Sequence, residues 1–526
     1  MAGAAIPAVG RTSVSSVWVP HTITEVLDRA LERTPDAVAI IGSSGQLSYA
    51  ELEDSANAHA MALAARGVRT GDRVAACLPN DLDIVVLFHA VMRLGAVWVG
   101  VNRALAVPEK HALITDCGPR VLLGDETITE ELGTHIPSCS DLIDVVNVLD
   151  VGWRASVTEA HGSPRAPLPD PRAPAGIAYT SGTTGVPKGV VHSQANLLLP
   201  GAATVASRGY GPALRKGDCL PLTILNMMAL TTLLVAQAGG TCVLSERRYA
   251  RGIAEWIERE AITVWNGVPA MLHDLADDDA VSPESLGSLA EVWSGGSDCP
   301  NVVRGAFERK FSQRVYATYG LTEAPSLVAI EPLGEPHAPN SSGRPLPHLK
   351  LDILTDDGTR LGPGQLGEIC VDAADEGPWA GLYRPMLGYW AGDVIVSDAR
   401  SGLPLRTGDL GIVDGNGNLC VRDRKKLVIV RGGANVYPAE VERVLMAYPG
   451  VCGCVVLGLP HDRLGQCVVA VVQVMLTQEL DADNLIAFCR ERLAQYKVPE
   501  KIRIVDALPR NAMGKAQRDR LAGLFN

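Results

Sequence analysis

The densest group of residues able to do chemistry lies at 177–196, where the apolar run Ile177 to Tyr179 breaks into Thr180, Ser181, Gly182, Thr183 and Thr184. Gly185, Pro187 and Lys188 follow. Amides beside glycine approach an anion closely because no side chain intervenes. The hydroxyls of Ser181, Thr183 and Thr184 and the cation of Lys188 add further donors. This is phosphate-binding chemistry. It is not the G-x-x-x-x-G-K-[ST] loop, because Pro187 stands where the second glycine belongs and Gly189 follows Lys188 where Ser or Thr is required. A Ser/Thr/Gly surface turn has the same composition, so this stretch alone leaves both readings open.

Other stretches add complementary groups. Ser294-Gly295-Gly296-Ser297 follows the apolar Val292-Trp293, at a strand end of the kind where α/β proteins bind ligands; a plain strand-to-helix turn reads the same way. Thr318-Tyr319-Gly320-Leu321-Thr322-Glu323 places an aromatic face, a hydroxyl and a carboxylate together, suited to a base, an anion and Mg²⁺ at Glu323, or to a buried Tyr beside a helix cap. Asp409, in Arg406-Thr407-Gly408-Asp409-Leu410, either accepts from two ribose hydroxyls or caps a turn. Arg424-Lys425-Lys426 is a charge cluster that solvent alone would satisfy. Arg431-Gly432-Gly433 bares the backbone for a narrow ligand or for a β-turn, and Lys515 ends Pro509-Arg510-Asn511-Ala512-Met513-Gly514 as a lone cation on a glycine-hinged loop.

The elements that must position these groups follow from the hydrophobic pattern. Strands at Val38–Ile41, Val74–Leu78, Ala96–Val101 and Val121–Leu123 alternate with helices, one of them capped by Ser48 and running towards Arg66. The alternation resumes after the glycine-rich loop with a helix, and then with Thr241–Leu244, Val264–Gly267 and Glu291–Ser294. The pattern predicts an α/β fold: two stacked α/β sheet subdomains over about 330 residues. From 340 short strands and the turns Asp414-Gly415 and Asn416-Gly417 predict a small β-rich subdomain. A boundary near 423–426 divides residues 1–423 from a small α+β unit, 424–526, with helices near Pro438–Tyr448 and Asp483–Gln495.

The chain has 526 residues, 47% hydrophobic and 20% charged, and a formal charge of −12. That balance describes a globular protein with no general affinity for nucleic acid. The 12 scattered cysteines hold no C-x-x-C pair and read as reduced thiols of a cytoplasmic protein. Residues 219–244 lack charge before Ser245, but Pro221, Asn226, Gln237, Gly239 and Gly240 favour a buried helix and strand over a membrane span.

In order and spacing these stretches resemble the adenylate-forming superfamily of acyl-CoA synthetases, adenylation domains and luciferases, over about 22–522. The resemblance implies that an acid and ATP·Mg²⁺ give an acyl adenylate and pyrophosphate, and that the acyl group then passes to a thiol. By motif position Thr180, Ser181, Gly182, Thr183, Thr184 and Lys188 would hold the β- and γ-phosphates. Gly295, Gly296 and Ser297, with Thr318, Tyr319 and Gly320, would frame the adenine, and Asp409 and Arg424 the ribose. Thr322 would meet the α-phosphate, Glu323 would hold Mg²⁺, and Lys515 would bridge carboxylate and phosphate. Lys426 would be the hinge on which a mobile C-terminal domain turns, and Arg431, Gly432 and Gly433 would line the tunnel for coenzyme A.

Three departures bear on specificity and hinge geometry. Leu427 and Gln466 replace acids common in relatives. Leu220-Pro221-Leu222-Thr223-Ile224-Leu225-Asn226 stands where many acid–CoA ligases show Pro-Leu, an aromatic and His. Thr223, Ile224, Asn226, Met227, Met228, Trp265, Asn266, Gly267 and Pro325 are the expected acyl-pocket wall; the methionines serve equally as core. No counterpart appears of the aspartate that anchors a substrate amino group in amino-acid adenylation domains. The expected reaction is therefore ligation of an apolar, bulky carboxylic acid to CoA. A carrier-protein acceptor is disfavoured by the compactness of 340–425, whereas a luciferase-like oxygenase on the same scaffold stays open. A silent relative would show damaged motifs, and Lys515, Glu323 and Asp409 are intact. A homodimer is compatible with this reading.

Overall fold

The computed structural model of the chain describes residues 19–133, 144–180, 188–296, 299–392, 394–397, 402–474, 480–510 and 516–525. Local signals in the sequence become the predicted elements. Ser48 accepts from the Glu51 amide while the Glu51 carboxylate accepts from the Ser48 amide, so this reciprocal cap starts the helix Tyr49–Ala65. Asp81 caps Leu82–Arg93, and Pro108 lies in the first turn of Val107–Cys117.

Two large sheets carry the N-terminal part. One runs, in spatial order, Val394–Val396, Gly388–Ala391, Lys188–Ser193, Pro174–Thr180, Val97–Gly100, Arg73–Cys77, Val121–Gly124 and Asp144–Asn147. The other runs Arg344–Pro345, Ala329–Ile330, Val315–Tyr319, Glu291–Ser294, Val264–Gly267, Arg215–Asp218, Thr241–Leu244, Val38–Gly42 and Gly45–Ser48. Helices Tyr49–Ala65, Leu82–Arg93 and Gln194–Arg208 and the helical stretch 225–238 fill one core with residues of both sheets, including Ala76 and Trp98 of the first and Ile40 and Trp293 of the second. Separate cores lie beneath the outer helices, around Ile114 and Leu122 on one side and Trp256 and Phe307 on the other. Strands such as Val121–Gly124 and Thr241–Leu244 are buried along their whole length because they are covered on both faces, where each buried Val, Leu or Ile contributes about 1.5–3 kcal/mol.

Two findings depart from the sequence expectation. The first strand pair does not join its neighbours in sequence: Ile40 pairs with Cys242 in the second sheet, because the helix Tyr49–Ala65 carries the chain between the layers before Arg73–Cys77 begins the first. The β-rich stretch does form an antiparallel sheet of Leu349–Leu354, Gly367–Ala373, Leu405–Val413 and Leu419–Arg424, the last two joined by a turn at Asp414–Gly417. Yet Gly388–Ala391 leaves that sheet and lengthens the first one beside Lys188–Ser193.

Residues 219–244 form a helix, a π-helical turn at Ala229–Leu233, a second helix and a strand, buried between the layers. Among the described residues no helix is long and apolar enough to cross a membrane. The C-terminal sheet runs Ala434–Val436, Ile429–Arg431, Gly465–Val474 and Val451–His461, with Lys501–Val505 parallel to Gly465–Val474. Helices Pro438–Met446 and Ala482–Arg490 pack on it. The second of these is shorter than expected, because the chain turns after Arg490 and brings Lys497 onto the Glu440 carboxylate, 2.7 Å away.

Candidate active site

The glycine-rich loop spans the end of a β-hairpin and not a strand-to-helix turn. Pro174–Thr180 and Lys188–Ser193 pair antiparallel with Thr180 opposite Lys188, and the Thr180 hydroxyl reaches the Lys188 carbonyl at 3.4 Å. Ser181, Gly182, Thr183 and Thr184 lie outside the described residues, as do Ser297 and Lys515. The hairpin fixes both ends of the loop and puts exposed Lys188 at its mouth.

The Thr322–Glu323 segment is tied to that hairpin. Nε2–H of buried His192 donates to the Thr322 carbonyl at 2.7 Å, while its Nδ1 accepts from Asn196 at 3.1 Å. Burial, which outweighs the bond to Thr322, pulls the His192 pKa down to about 4, so the ring is neutral near pH 7. The Tyr389 hydroxyl donates to Glu323 at 3.3 Å, and the Lys188 ammonium lies 5.3 Å from the centre of the Tyr389 ring. Gly320 admits the tight return of the loop, since a Cβ there would stand 1.7 Å from the Ser326 carbonyl oxygen.

A second wall forms around Tyr319 and Asp409. The Tyr319 hydroxyl donates to one Asp409 oxygen at 2.7 Å, and Arg424 Nε lies 3.3 Å from the other. Burial and then the Asp409 charge push the Tyr319 pKa well above its usual value, so the phenol keeps its proton. Arg424 remains more than half exposed. Thr318 donates to the Ser294 carbonyl at 3.1 Å, and a Cβ on Gly295 would meet the Thr318 hydroxyl at 2.2 Å, so the two motifs touch. Gly296 takes the left-handed backbone, φ 80°.

The expected acyl wall divides. Thr223 lies over the end of Val97–Gly100, where a Cβ on Gly100 would meet its carbonyl oxygen at 1.8 Å. The buried Thr223 hydroxyl and the Asn226 side-chain oxygen have no hydrogen-bond partner among the described residues. Met227, Met228 and Pro325 are buried, Ile224 half-buried. Asn266 donates to Asp218 at 3.2 Å, and Asp218 also accepts from Thr231 and from the Leu220 amide. Trp265 does not join this group. It points to the opposite face of its strand and packs against Gly267 in the outer core, because successive strand residues alternate.

Gly432 and Gly433 are the two left-handed residues of a tight hairpin, and Arg431 binds the carbonyls of Gln495 and Tyr496 and the Glu500 carboxylate. Lys426 sits in the turn Lys425–Leu427, whose Lys425 is paired with Asp356 and Glu368.

Glu323 fits a Mg²⁺ role, since that ion keeps several waters and takes one or two carboxylates plus substrate phosphates. No cluster of three or more acidic, His or Cys side chains gathers among the described residues, so substrate phosphate would have to complete such a site. His192, Asn196 and Tyr389 escaped the sequence reading. The His-x-x-x-Asn spacing at the helix entry was the one available signal for the first two.

The profile of the AMP-binding enzyme family matches residues 27–390, and that of the AMP-binding enzyme C-terminal domain matches 440–515. This chain belongs to that family. It is 33% identical to an indoleacetate–CoA ligase of Aromatoleum aromaticum over 94% of this chain and 97% of the relative. It is also 33% identical to a 2-succinylbenzoate–CoA ligase of Geobacillus kaustophilus over 94% and 96%. The fold matches the o-succinylbenzoate CoA synthetase of Bacillus subtilis in complex with its acyl-adenylate intermediate, with TM-score 0.80, 29% identity, and 94% and 97% of the two chains covered. As a member of this family the chain is an adenylate-forming enzyme, an AMP-forming acid–CoA ligase.

Proposed function

We propose that this ligase activates a ring-bearing carboxylic acid and delivers it to CoA. The acid's carboxylate oxygen attacks the α-phosphorus of ATP and pyrophosphate leaves; the CoA thiol then attacks the acyl carbon and AMP leaves. A carboxylate is a weak nucleophile towards a polyanion, so the protein must neutralise charge and align the reactants. Lys188 and the loop 180–184 take the β- and γ-phosphates, Thr322 the α-phosphate, and Asp409 with Arg424 the ribose. Mg²⁺, held through Glu323, supplies charge neutralisation on the phosphates. Lys515 bridges the carboxylate and the α-phosphate in the first step, and the C-terminal domain turns about Lys426 before the second.

The observation that carries this reading is the junction of Thr322 and Glu323 with the hairpin bearing Lys188, through His192 and Tyr389. A ring-bearing acid is supported by the substrates named for the two 33%-identical relatives. The unpartnered Thr223 hydroxyl and Asn226 oxygen suit a ring with a hydrogen-bonding substituent. The test is pyrophosphate release over a panel of aryl, arylacetic, cinnamic and straight-chain acids, with CoA or with a phosphopantetheinyl carrier protein. Aryl acids with CoA should turn over fastest. Release with straight-chain acids alone, or thioester formed on the carrier alone, would overturn the proposal.

A further inference from the structure

We propose that Tyr389 is a positioning residue that holds Glu323 and Lys188 apart and aimed for ATP·Mg²⁺. The inference rests on the roles given to those two residues above. Tyr389 belongs to the strand that leaves the β-rich sheet and pairs with Lys188–Ser193: Gly388 faces Val191, Tyr389 faces Val190 and Trp390 faces Gly189. Lys188 is therefore the diagonal neighbour of Tyr389 on the same face, within reach of an aromatic ring. Its ammonium lies 5.3 Å from the ring centre, and the Tyr389 hydroxyl donates to Glu323 at 3.3 Å.

The strand is held against sliding. Trp390 Nε1 donates to the Asp116 carbonyl at 2.9 Å, and the Arg73 guanidinium lies 5.4 Å from the Trp390 ring centre. Gly388 sits where a Cβ would meet the Val396 carbonyl oxygen at 2.7 Å, so the strand Val394–Val396 lies tightly against the start of this one. A direct Lys188–Glu323 ion pair would withdraw both charges from substrate. The ring prevents it, because its electron-rich face takes the cation while its polar tip takes the carboxylate. On nucleotide binding each charge keeps this contact and adds a stronger one, Lys188 to phosphate and Glu323 to the metal.

Tyr389→Phe keeps the ring and removes the hydroxyl; Tyr389→Leu removes both. Binding of α,β-methylene-ATP to the full-length enzyme is measured by calorimetry, in EDTA and across a Mg²⁺ series, beside Mg²⁺-dependent pyrophosphate release. Tyr389→Phe should raise the Mg²⁺ half-saturation by about tenfold, the scale of one hydrogen bond to a charged group, and leave metal-free affinity unchanged. Tyr389→Leu should in addition weaken metal-free binding by about threefold. An unchanged Mg²⁺ half-saturation in Tyr389→Phe overturns the proposal, as does an equal loss with and without metal in both variants, which marks edge packing. Glu323→Gln separates the layers. If it leaves Mg²⁺ dependence unaltered, the cation role of Glu323 is wrong; if it shifts the dependence and Tyr389→Phe does not, only the role of Tyr389 falls. Melting curves check folding, and the isosteric Phe variant decides alone if the Leu variant does not fold.

Discussion

Asp409 shows how individual side chains prepare this site. Both of its oxygens are engaged, one by the Tyr319 hydroxyl and one by Arg424, which fixes the carboxylate in place. In the proposed mechanism Lys515 would be the reacting cation. Lys515→Ala should lower acid-dependent pyrophosphate release by a hundredfold or more, on the order of losing one preorganised electrostatic group. Thioester formation from a supplied acyl adenylate should persist, and single-turnover assays of each half-reaction measure the split. Full adenylation by the variant would remove Lys515 from the first step. Thr322, Glu323, Asp409 and Arg424 stood out as candidates because each sits in a compact motif whose residue types suggest a chemistry. His192 and Tyr389 were not, because their partners lie 130 and 66 residues away along the chain.

Glycines set the spacing between elements. Gly100 ends a strand of the first sheet against the backbone of Thr223, and Gly176 of the adjacent strand admits Leu225. Gly100→Ala must push the 220–226 segment away, since a Cβ 1.8 Å from a carbonyl oxygen has no rotamer by which to escape. The expected outcome is a KM for the acid raised at least about fivefold, from a displacement worth about 1 kcal/mol or more, with the KM for ATP within about twofold. Equal change in both constants would place the segment outside the acid site. The Ser48 cap and the Asp414–Gly417 turn were readable because local hydrogen bonding settles them, and the Pro438 helix start because proline's fixed backbone angle suits a first helical turn. Trp265 was misplaced because its strand is covered on both faces, and periodicity then does not tell which core a residue enters.

Across the whole molecule, buried histidines make stability depend on pH. Burial lowers His89 and His348 to about 3, with the nearby Arg93 adding to the effect at His89, and lowers His192 to about 4, against 6.5 when exposed. Between those values the unfolded chain binds protons that the folded one refuses, so stability is fully present above pH 6.5 and falls as pH drops towards 4. Glu53 extends the loss: burial raises it, but Arg93 and Arg165 more than offset that and hold it at about 2, so its contribution fades below pH 4.5. Urea midpoints should hold level above pH 6.5 and fall steadily from there to pH 5, and a flat profile would contradict the assignment of neutral buried rings. The interleaving of the sheets was the least legible feature. Nothing near Ile40 specifies Cys242 as its neighbour, because parallel pairing is set by helices that cross between layers.

Attack by the acid's carboxylate on the α-phosphorus is tested most directly by oxygen transfer. The enzyme is given ATP, CoA and an aryl acid labelled with ¹⁸O in its carboxylate, and the products are weighed by mass spectrometry. One ¹⁸O should appear in AMP for each thioester formed, with unlabelled pyrophosphate. Label found in orthophosphate, or AMP free of label, would contradict an acyl-adenylate intermediate.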